Sequence, residues 1–407
     1  MAVGRSCGLT TTGRSTLAAG VATAVCAVVL DERDLLTIGI FVTALPLLSL
    51  LLTTRVRRSV RSERGITPDR VAVGGSVEVA VRLTGGPLLC TLRVTDAVPD
   101  AAGPQPESPP RFAVHRLPAR AGVRLSYPLR PVLRGSHRIG PLVGRASDPL
   151  GLAEFPRELC PAERLLVLPA IVGLRGMPPA LGGRENLPGV TVAPRQGGGA
   201  PEAMIRPYRP GDELRRVHWR STARHDELMV RLEEPPRRGY LTVLLDRRDA
   251  AHRGRGPESS LEFAVSLTAS ICAHLSSRGE PVLLVTEDGT PLIGAGAGLD
   301  SMLDALAALR PSATARLTGP PPAAAGDVVA VLGAIEPDEL DGLLARGSSG
   351  GHAVLLDVRS WDPAGRAAAP APDRPAAALR RAGWQVVVAT AGSTPDQAWA
   401  GLTGGAP

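Results

Sequence analysis

Residues 206–234 read RPYRPGDELRRVHWRSTARHDELMVRLEE. Two histidines, a tyrosine, a tryptophan, a Gly-Asp pair and seven arginines fall within this one stretch. An enzyme built here would use His218 as base, Asp212 to orient it and arginines to hold an anion. It would lack a Ser or Cys in a nucleophile turn, an HExxH pair and a phosphate-cradling glycine loop. A nucleic-acid surface would set Arg206, Arg209, Arg215, Arg216, Arg220 and Arg224 on phosphates, with Tyr208 or Trp219 stacking on bases. Six acidic residues are interleaved, however: Asp212, Glu213, Asp226, Glu227, Glu233 and Glu234. They can satisfy most of those guanidiniums internally. The charge balance therefore favours a third form, an ion-paired structural element in which arginine forks grip carboxylates and Trp219 anchors the whole. A partner protein could read the same rigid, charged face.

Locally, Pro207, Pro210 and Gly211 make the start of this stretch a loop. Asp212 can cap a short helix over the following residues, and 227–234 alternates as a strand. The chain around it has 407 residues and a formal charge of +7, more than one core requires, so two or three domains are expected. All 46 basic residues are arginine. Aromatics are 3%, leaving few platforms for single-stranded bases, and no nucleic-acid partner is expected. The five cysteines, Cys7, Cys26, Cys90, Cys160 and Cys272, are dispersed and odd in number, against a zinc knuckle or a disulfide framework.

Two apolar runs open the chain. Residues 15–30 carry no charge and span about 24 Å as a helix; residues 35–54 span about 30 Å, enough to cross a bilayer. The acidic DERD at 31–34 joins them as an antiparallel pair. Arg5 and Arg14 precede the pair, and Arg55, Arg57, Arg58, Arg61 and Arg64 follow it. The positive-inside rule then puts the N-terminus and all later domains on the cytoplasmic side of a cell membrane. Residues 65–170 alternate apolar and polar with Gly and Pro punctuation and predict a β-rich, sandwich-like domain. Residues 171–203 are rich in Gly and Pro and are expected to be a linker, with the charged stretch occupying 204–239. From 240 to 400, buried β-runs alternate with amphipathic helices, which predicts a doubly wound, mostly parallel sheet.

Ligands of such sheets sit at the carboxyl ends of the strands, where Asp246 closes the first β-run. A von Willebrand factor A type module resembles this arrangement, with an Asp-x-Ser-x-Ser loop for magnesium. Here the loop reads Asp246, Arg247, Arg248, Asp249, Ala250. Arg248 and Ala250 replace both serines, so the loop is degenerate, and guanidiniums beside Asp246 would repel a divalent cation. No metal or other cofactor is expected.

The charged stretch resembles the signature of the bacterial family called domain of unknown function 58 (DUF 58). The matching residues are Arg206, Tyr208, Gly211, Asp212, Arg215, His218, Trp219, Thr222, Ala223, Arg224, Leu228, Val230, Arg231 and Glu234. RGSHRIG at 134–140 and SDPLGL at 147–152 are similar to further motifs of that family. The resemblance implies an α+β multidomain chain: a transmembrane helical hairpin, a β-sandwich-like domain and a C-terminal von Willebrand A-like α/β domain. It implies a membrane-anchored, non-enzymatic adaptor or scaffold working with a MoxR-type AAA+ ATPase and a transglutaminase-like membrane protein in envelope-associated assembly or maturation. Residues 206–234 would be the contact surface. The alternative is an enzyme or a nucleotide- or anion-binding protein using the Arg/Asp/His cluster there.

Overall fold

The computed structural model describes residues 8–85, 91–103, 110–181, 205–207, 229–231, 240–314, 317, 328–340, 344 and 351–404, apart from 116, 119–121, 180, 295, 337, 363, 366 and 367. Two apolar helices come first, α1 (Thr11–Leu30) and α2 (Arg33–Ser59). Both are long and apolar enough to cross a membrane. Asp31, at a positive φ of 53°, reverses the chain between them. Small residues let the two backbones meet. A Cβ added to Gly20 would lie 2.7 Å from the Thr43 nitrogen, and one on Gly39 2.7 Å from the Ala24 nitrogen. Close backbone approach of this kind is how helices associate where no hydrophobic force acts between them.

Three sheets follow. In the first, β1 (Gly8–Leu9), β10 (Ala153–Cys160), β9 (Leu142–Ser147), β5 (Thr91–Asp96) and β6 (Arg111–Val114) lie side by side in that order. The second is β2 (Arg61–Thr67), β4 (Val77–Thr84) and β7 (Val123–Leu129). The third is β3 (Arg70–Ala72), β11 (Glu163–Leu168) and β8 (Gly135–Ile139). The alternating pattern of β4 buries Val77, Val79, Val81 and Leu83 completely or nearly so. Val81 and Leu83 pack with Leu92, Val94 and Leu142 of the first sheet. Val77 and Val79 pack with Ile139, Leu165 and Val167 of the third. A buried ionic link crosses this core: Arg64 donates to Asp96 at 2.6 Å, and the Tyr127 hydroxyl donates to the same carboxylate at 2.6 Å. Burial pushes the Asp96 carboxyl above its ordinary value, against the pull of both donors.

The β-rich region extends beyond its expected start at residue 65. β2 begins at Arg61, and β1 precedes the hairpin altogether, pairing antiparallel with β10. Hydropathy hides this, because the apolar runs between the two strands dominate the pattern.

The third body is a five-stranded parallel sheet. Its strands are β14 (Leu241–Leu245), β15 (Val282–Thr286), β16 (Val328–Leu332), β17 (His352–Leu356) and β18 (Gln385–Ala389). Their order is β15-β14-β16-β17-β18, with every neighbour parallel. α3 (Ser260–Ser277), α4 (Leu299–Ala308) and α6 (Pro395–Thr403) cover one face through Leu267, Ile271, Leu306 and Trp399. α5 (Asp373–Arg381) covers the other through Ala376 and Leu379. Strands buried on both faces lose the polar alternation of a half-exposed strand, which is why β14, β16 and β17 read as apolar runs interrupted only by Thr242 and His352.

Of the expected linker, residues 171–179 and 181 are described and 182–203 lie outside the described residues. The described part forms a strap along α3 and α6. Leu174 and Leu181 enter the core, and the Gly176 carbonyl accepts from Trp399 Nε1 at 3.4 Å. Ser270 Oγ accepts from the Val172 nitrogen at 2.9 Å. The strap is neither helix nor strand, so its buried residues follow no period a sequence reader would recognise.

Arg134 joins the β-rich part to the parallel sheet. Its Nε donates to the Leu306 carbonyl at 3.0 Å and an Nη to the Leu309 carbonyl at 3.2 Å, and the remaining Nη pairs with Glu262. Replacing Arg134 with Ala leaves two helix-end carbonyls and a carboxylate without their donor. A loss of about 1–3 kcal/mol is expected in denaturant unfolding. Lys at this position should recover only part of it, because one ammonium cannot span the three acceptors.

Candidate functional site

An open α/β sheet offers its ligand crevice where the strand order reverses. Here that point lies between β14 and β16, neighbours in the sheet with β15 intervening in sequence. The residues beyond β14 fill it. The Asp246 nitrogen donates to the Val331 carbonyl at 2.9 Å, which carries the pairing with β16 one residue past the strand. The Asp246 carboxylate is fully buried and points at the crevice. Arg248 turns back over it. Its Nε reaches Oδ1 at 2.9 Å and an Nη reaches Oδ2 at 2.9 Å, the paired-fork geometry of a strong arginine–carboxylate contact. The Arg248 and Gly333 backbone nitrogens add contacts at 3.1 and 3.3 Å.

The far side of the guanidinium is used as well. One Nη donates to Glu339 at 2.6 Å and the other to the Ala334 carbonyl at 3.1 Å. The Arg248 side chain is 2% exposed. Burial works against its charge, but the bonds and charge of Asp246, then of Glu339, outweigh burial and hold the guanidinium above its ordinary value. The crevice thus holds a cation made by the chain itself, coordinated by two carboxylates and a carbonyl.

His252 supports the loop from below. Its Nε2 lies 2.9 Å from the Asp246 carbonyl and its Nδ1 3.1 Å from Ser260 Oγ. Burial pulls the imidazole below its ordinary value. A neutral ring fits both contacts, donating from Nε2 and accepting the serine proton at Nδ1.

The neighbouring strands repeat the pattern. Glu287, just past β15, is 1% exposed and meets Arg247 at 3.1 Å. Asp357, just past β17, meets Arg359 at 2.8 Å, and that hydrogen bond holds the carboxyl below its ordinary value. Three strands therefore end in a carboxylate, and each has its own arginine. Among the described residues no three His, Cys, Asp or Glu side chains are grouped to hold a metal ion. Cys272 is buried, and burial pushes its thiol up to about 12, which leaves it inert as a nucleophile.

Of the sequence candidates, Asp246 and Arg248 meet and Ala250 lies exposed beside them. Tyr208, Gly211, Asp212, Arg215, His218, Trp219, Thr222, Ala223, Arg224 and Glu234 lie outside the described residues. The two ends of their stretch are described in backbone only. β12 (Ile205–Pro207) pairs antiparallel with β13 (Met229–Arg231), setting Arg206 opposite Val230 and Ile205 opposite Arg231. The stretch thus leaves and returns through one two-stranded ribbon. Glu339 and His252 were not singled out from sequence. Glu339 lies 91 residues from Arg248, and no local spacing links them.

Comparison with known proteins adds a family match. Residues 204–391 match the family described as "Protein of unknown function DUF58". That range takes in the charged stretch and the parallel sheet through β18. The chain is also 28% identical over 166 residues to "Uncharacterized protein YeaD" of Bacillus subtilis (strain 168), covering 39% of this chain. It spans 38% of that relative's length. Among solved structures, similarity is slight. The CARDB domain of a Pyrococcus furiosus protein covers 26% of this chain and is itself 91% covered, at 18% identity and a TM-score of 0.19. A superoxide reductase (neelaredoxin) from Ignicoccus hospitalis covers 28% and is 84% covered, at 13% identity and a TM-score of 0.17. Scores that low carry no argument about fold or function.

Two outcomes are expected. Arg248→Ala strands a buried Asp246 and should cost about 3–5 kcal/mol in chemical unfolding. The double variant Asp246→Asn, Arg248→Met removes both charges and should recover much of that loss. Separately, the folded state holds His252 neutral and below the unfolded value of about 6.5. Its contribution is therefore complete above that value and is lost as the pH falls through the lower, folded value. Melting temperature followed from pH 7.5 to 5 should drop more for the wild type than for His252→Gln.

Proposed function

We propose that this chain is a membrane-held, non-enzymatic scaffold or adaptor. In this reading the hairpin crosses a cell membrane with both ends cytoplasmic, and the parallel sheet is a von Willebrand A-like domain that offers a protein-docking face. The observation that carries the reading is the filled crevice at the β14–β16 switch. Where an open α/β sheet would take a substrate, cofactor or metal, this chain places Arg248 between Asp246 and Glu339. A buried, doubly paired guanidinium does not exchange with solutes, so the usual ligand position is closed to turnover.

The partner follows from the family resemblance alone. The working complex is with a MoxR-type AAA+ ATPase, alongside a transglutaminase-like membrane protein, in assembly or maturation of envelope proteins. Residues 206–234 form the contact surface in this scheme. Arg215 and Trp219 would supply its charge and its anchor.

Co-purification from native membranes tests this directly. The full chain should bring down an AAA+ ATPase. An Arg215→Ala, Trp219→Ala variant with an unchanged melting temperature should lose it. Repeated purifications of the wild type without any such ATPase would sink the proposal. Loss of folding in the double variant would make 206–234 the structural ion-paired element and move the search for the docking face to the parallel sheet.

A further inference from the structure

The turn Asp148–Leu152 joins β9 to β10 and carries the SDPLGL motif. It is bound to both helices of the hairpin. The Thr10 hydroxyl, at the start of α1, donates to the Gly151 carbonyl at 2.7 Å. The Thr10 nitrogen donates to the Leu152 carbonyl at 2.9 Å. Gly13 passes so close that an added Cβ would lie 2.0 Å from the Leu152 oxygen, so no other residue fits there. From α2, the Ser49 hydroxyl donates to Asp148 Oδ2 at 3.0 Å. Ser49 is buried at this contact and Thr53 is buried one turn further on, on a helix that exposes Ile38, Ile40, Phe41, Leu47, Leu48 and Leu51.

Asp148 itself is 5% exposed. Its carboxylate also accepts from the Leu150 nitrogen at 3.0 Å and the Ala153 nitrogen at 2.6 Å. Three donors let it sit at a depth where a bare carboxylate would be costly.

Depth follows from helix length. Measured from the reversal at Asp31, a hydrocarbon core of about 30 Å takes about 20 residues of each helix. That places Thr10–Gly13 and the segment Ser49–Thr53 at the inner boundary. Arg14 and Arg55, both exposed, stand at the same level. The turn bonded to these residues lies at the headgroup layer.

Leu150 is the tip of this turn and is 59% exposed. Among the described residues outside the hairpin, the other exposed large apolar side chains are Val132 and Ile171, at 43% and 44%. Val132 lies in a cleft of about 620 Å³ with Glu262 and Phe263, against the parallel-sheet body. Leu150 is the most exposed of the three. We infer that the Asp148–Leu152 turn is a third membrane contact, seating Leu150 in the lipid headgroup layer between the arginines that flank the hairpin. An apolar tip within a cationic collar is the composition that interfacial anchors share. The turn is fixed to the hairpin by the bonds of Thr10 and Ser49, so its contact would set the depth of the β-rich part at the bilayer surface.

This inference rests on the hairpin crossing a membrane, and the test separates the two. The full chain is reconstituted in phosphatidylcholine–phosphatidylglycerol vesicles, with Cys7, Cys26 and Cys90 replaced by Ser and one reporter thiol labelled with an environment-sensitive fluorophore. Reporters are Leu150→Cys, the native Cys26 restored alone, and Ala308→Cys on α4. Nitroxides are placed on the lipid headgroup or deep in the acyl chain. The 150 probe should be quenched about two-fold or more by the headgroup nitroxide and less by the deep one, while the 26 probe responds to the deep one and the 308 probe to neither. A 150 probe that behaves like the 308 probe, with the 26 probe quenched, overturns the third contact and leaves the spanning hairpin standing. A 26 probe quenched by neither nitroxide overturns both.

Discussion

One guanidinium holds two bodies of this protein in register. Arg134 stands at the start of β8 and ends among the last carbonyls of α4 and the first turn of α3. It is 7% exposed, so water does not compete for its donors. By contrast, Arg70 makes two ion pairs across the same joint, with Asp300 and Asp304, whose side chains are 85% and 47% exposed. Pairs of that kind contribute about 0–1 kcal/mol each. The buried fork is therefore the stronger ionic contact at this joint, beside the apolar packing of Leu174 and Leu181 from the strap.

The same device recurs where other parts meet. Arg64 ties β2 to Asp96 on β5 and to the Ile139 carbonyl on β8, linking the three sheets of the β-rich part. Arg248 ties the β14 end to Glu339 beyond β16. In a chain whose cations are all arginine, planar forks with several fixed donors are the available cross-link, and each closes a contact that a point charge would leave partly open.

How much of this was legible in the sequence depends on distance along the chain. The near-continuous apolar runs announced the parallel sheet, and Asp246 at the end of the first run marked the crevice. RGSHRIG and SDPLGL could be recognised by spacing, but not what they do. Arg134 meets residues 128 to 175 positions away, and Asp148 meets Ser49 across 99 positions. α6 is faint in the sequence because only Ala398, Trp399 and Leu402 face the core, too few to set a period over nine residues. The strap at 171–181 was missed because buried residues in irregular chain have no period. The charged stretch was the loudest signal in the sequence, yet it lies almost wholly outside the described residues.

Arg248 also bears on what the crevice can sense. A divalent cation at a strand end is held by exchange with solution, so its occupancy follows concentration. A covalently attached guanidinium has an effective local concentration no solute matches, and it leaves only when the loop from Arg247 to Ala251 opens. Opening would expose the buried charges of Asp246 and Glu339 together. The penalty for that exceeds what a weakly bound small solute returns. A partner protein burying a larger area could meet the penalty, and it would have to supply its own cation to the two carboxylates. Arg248 therefore uncouples the carboxyl end of the β14–β16 pair from the concentration of any free cation.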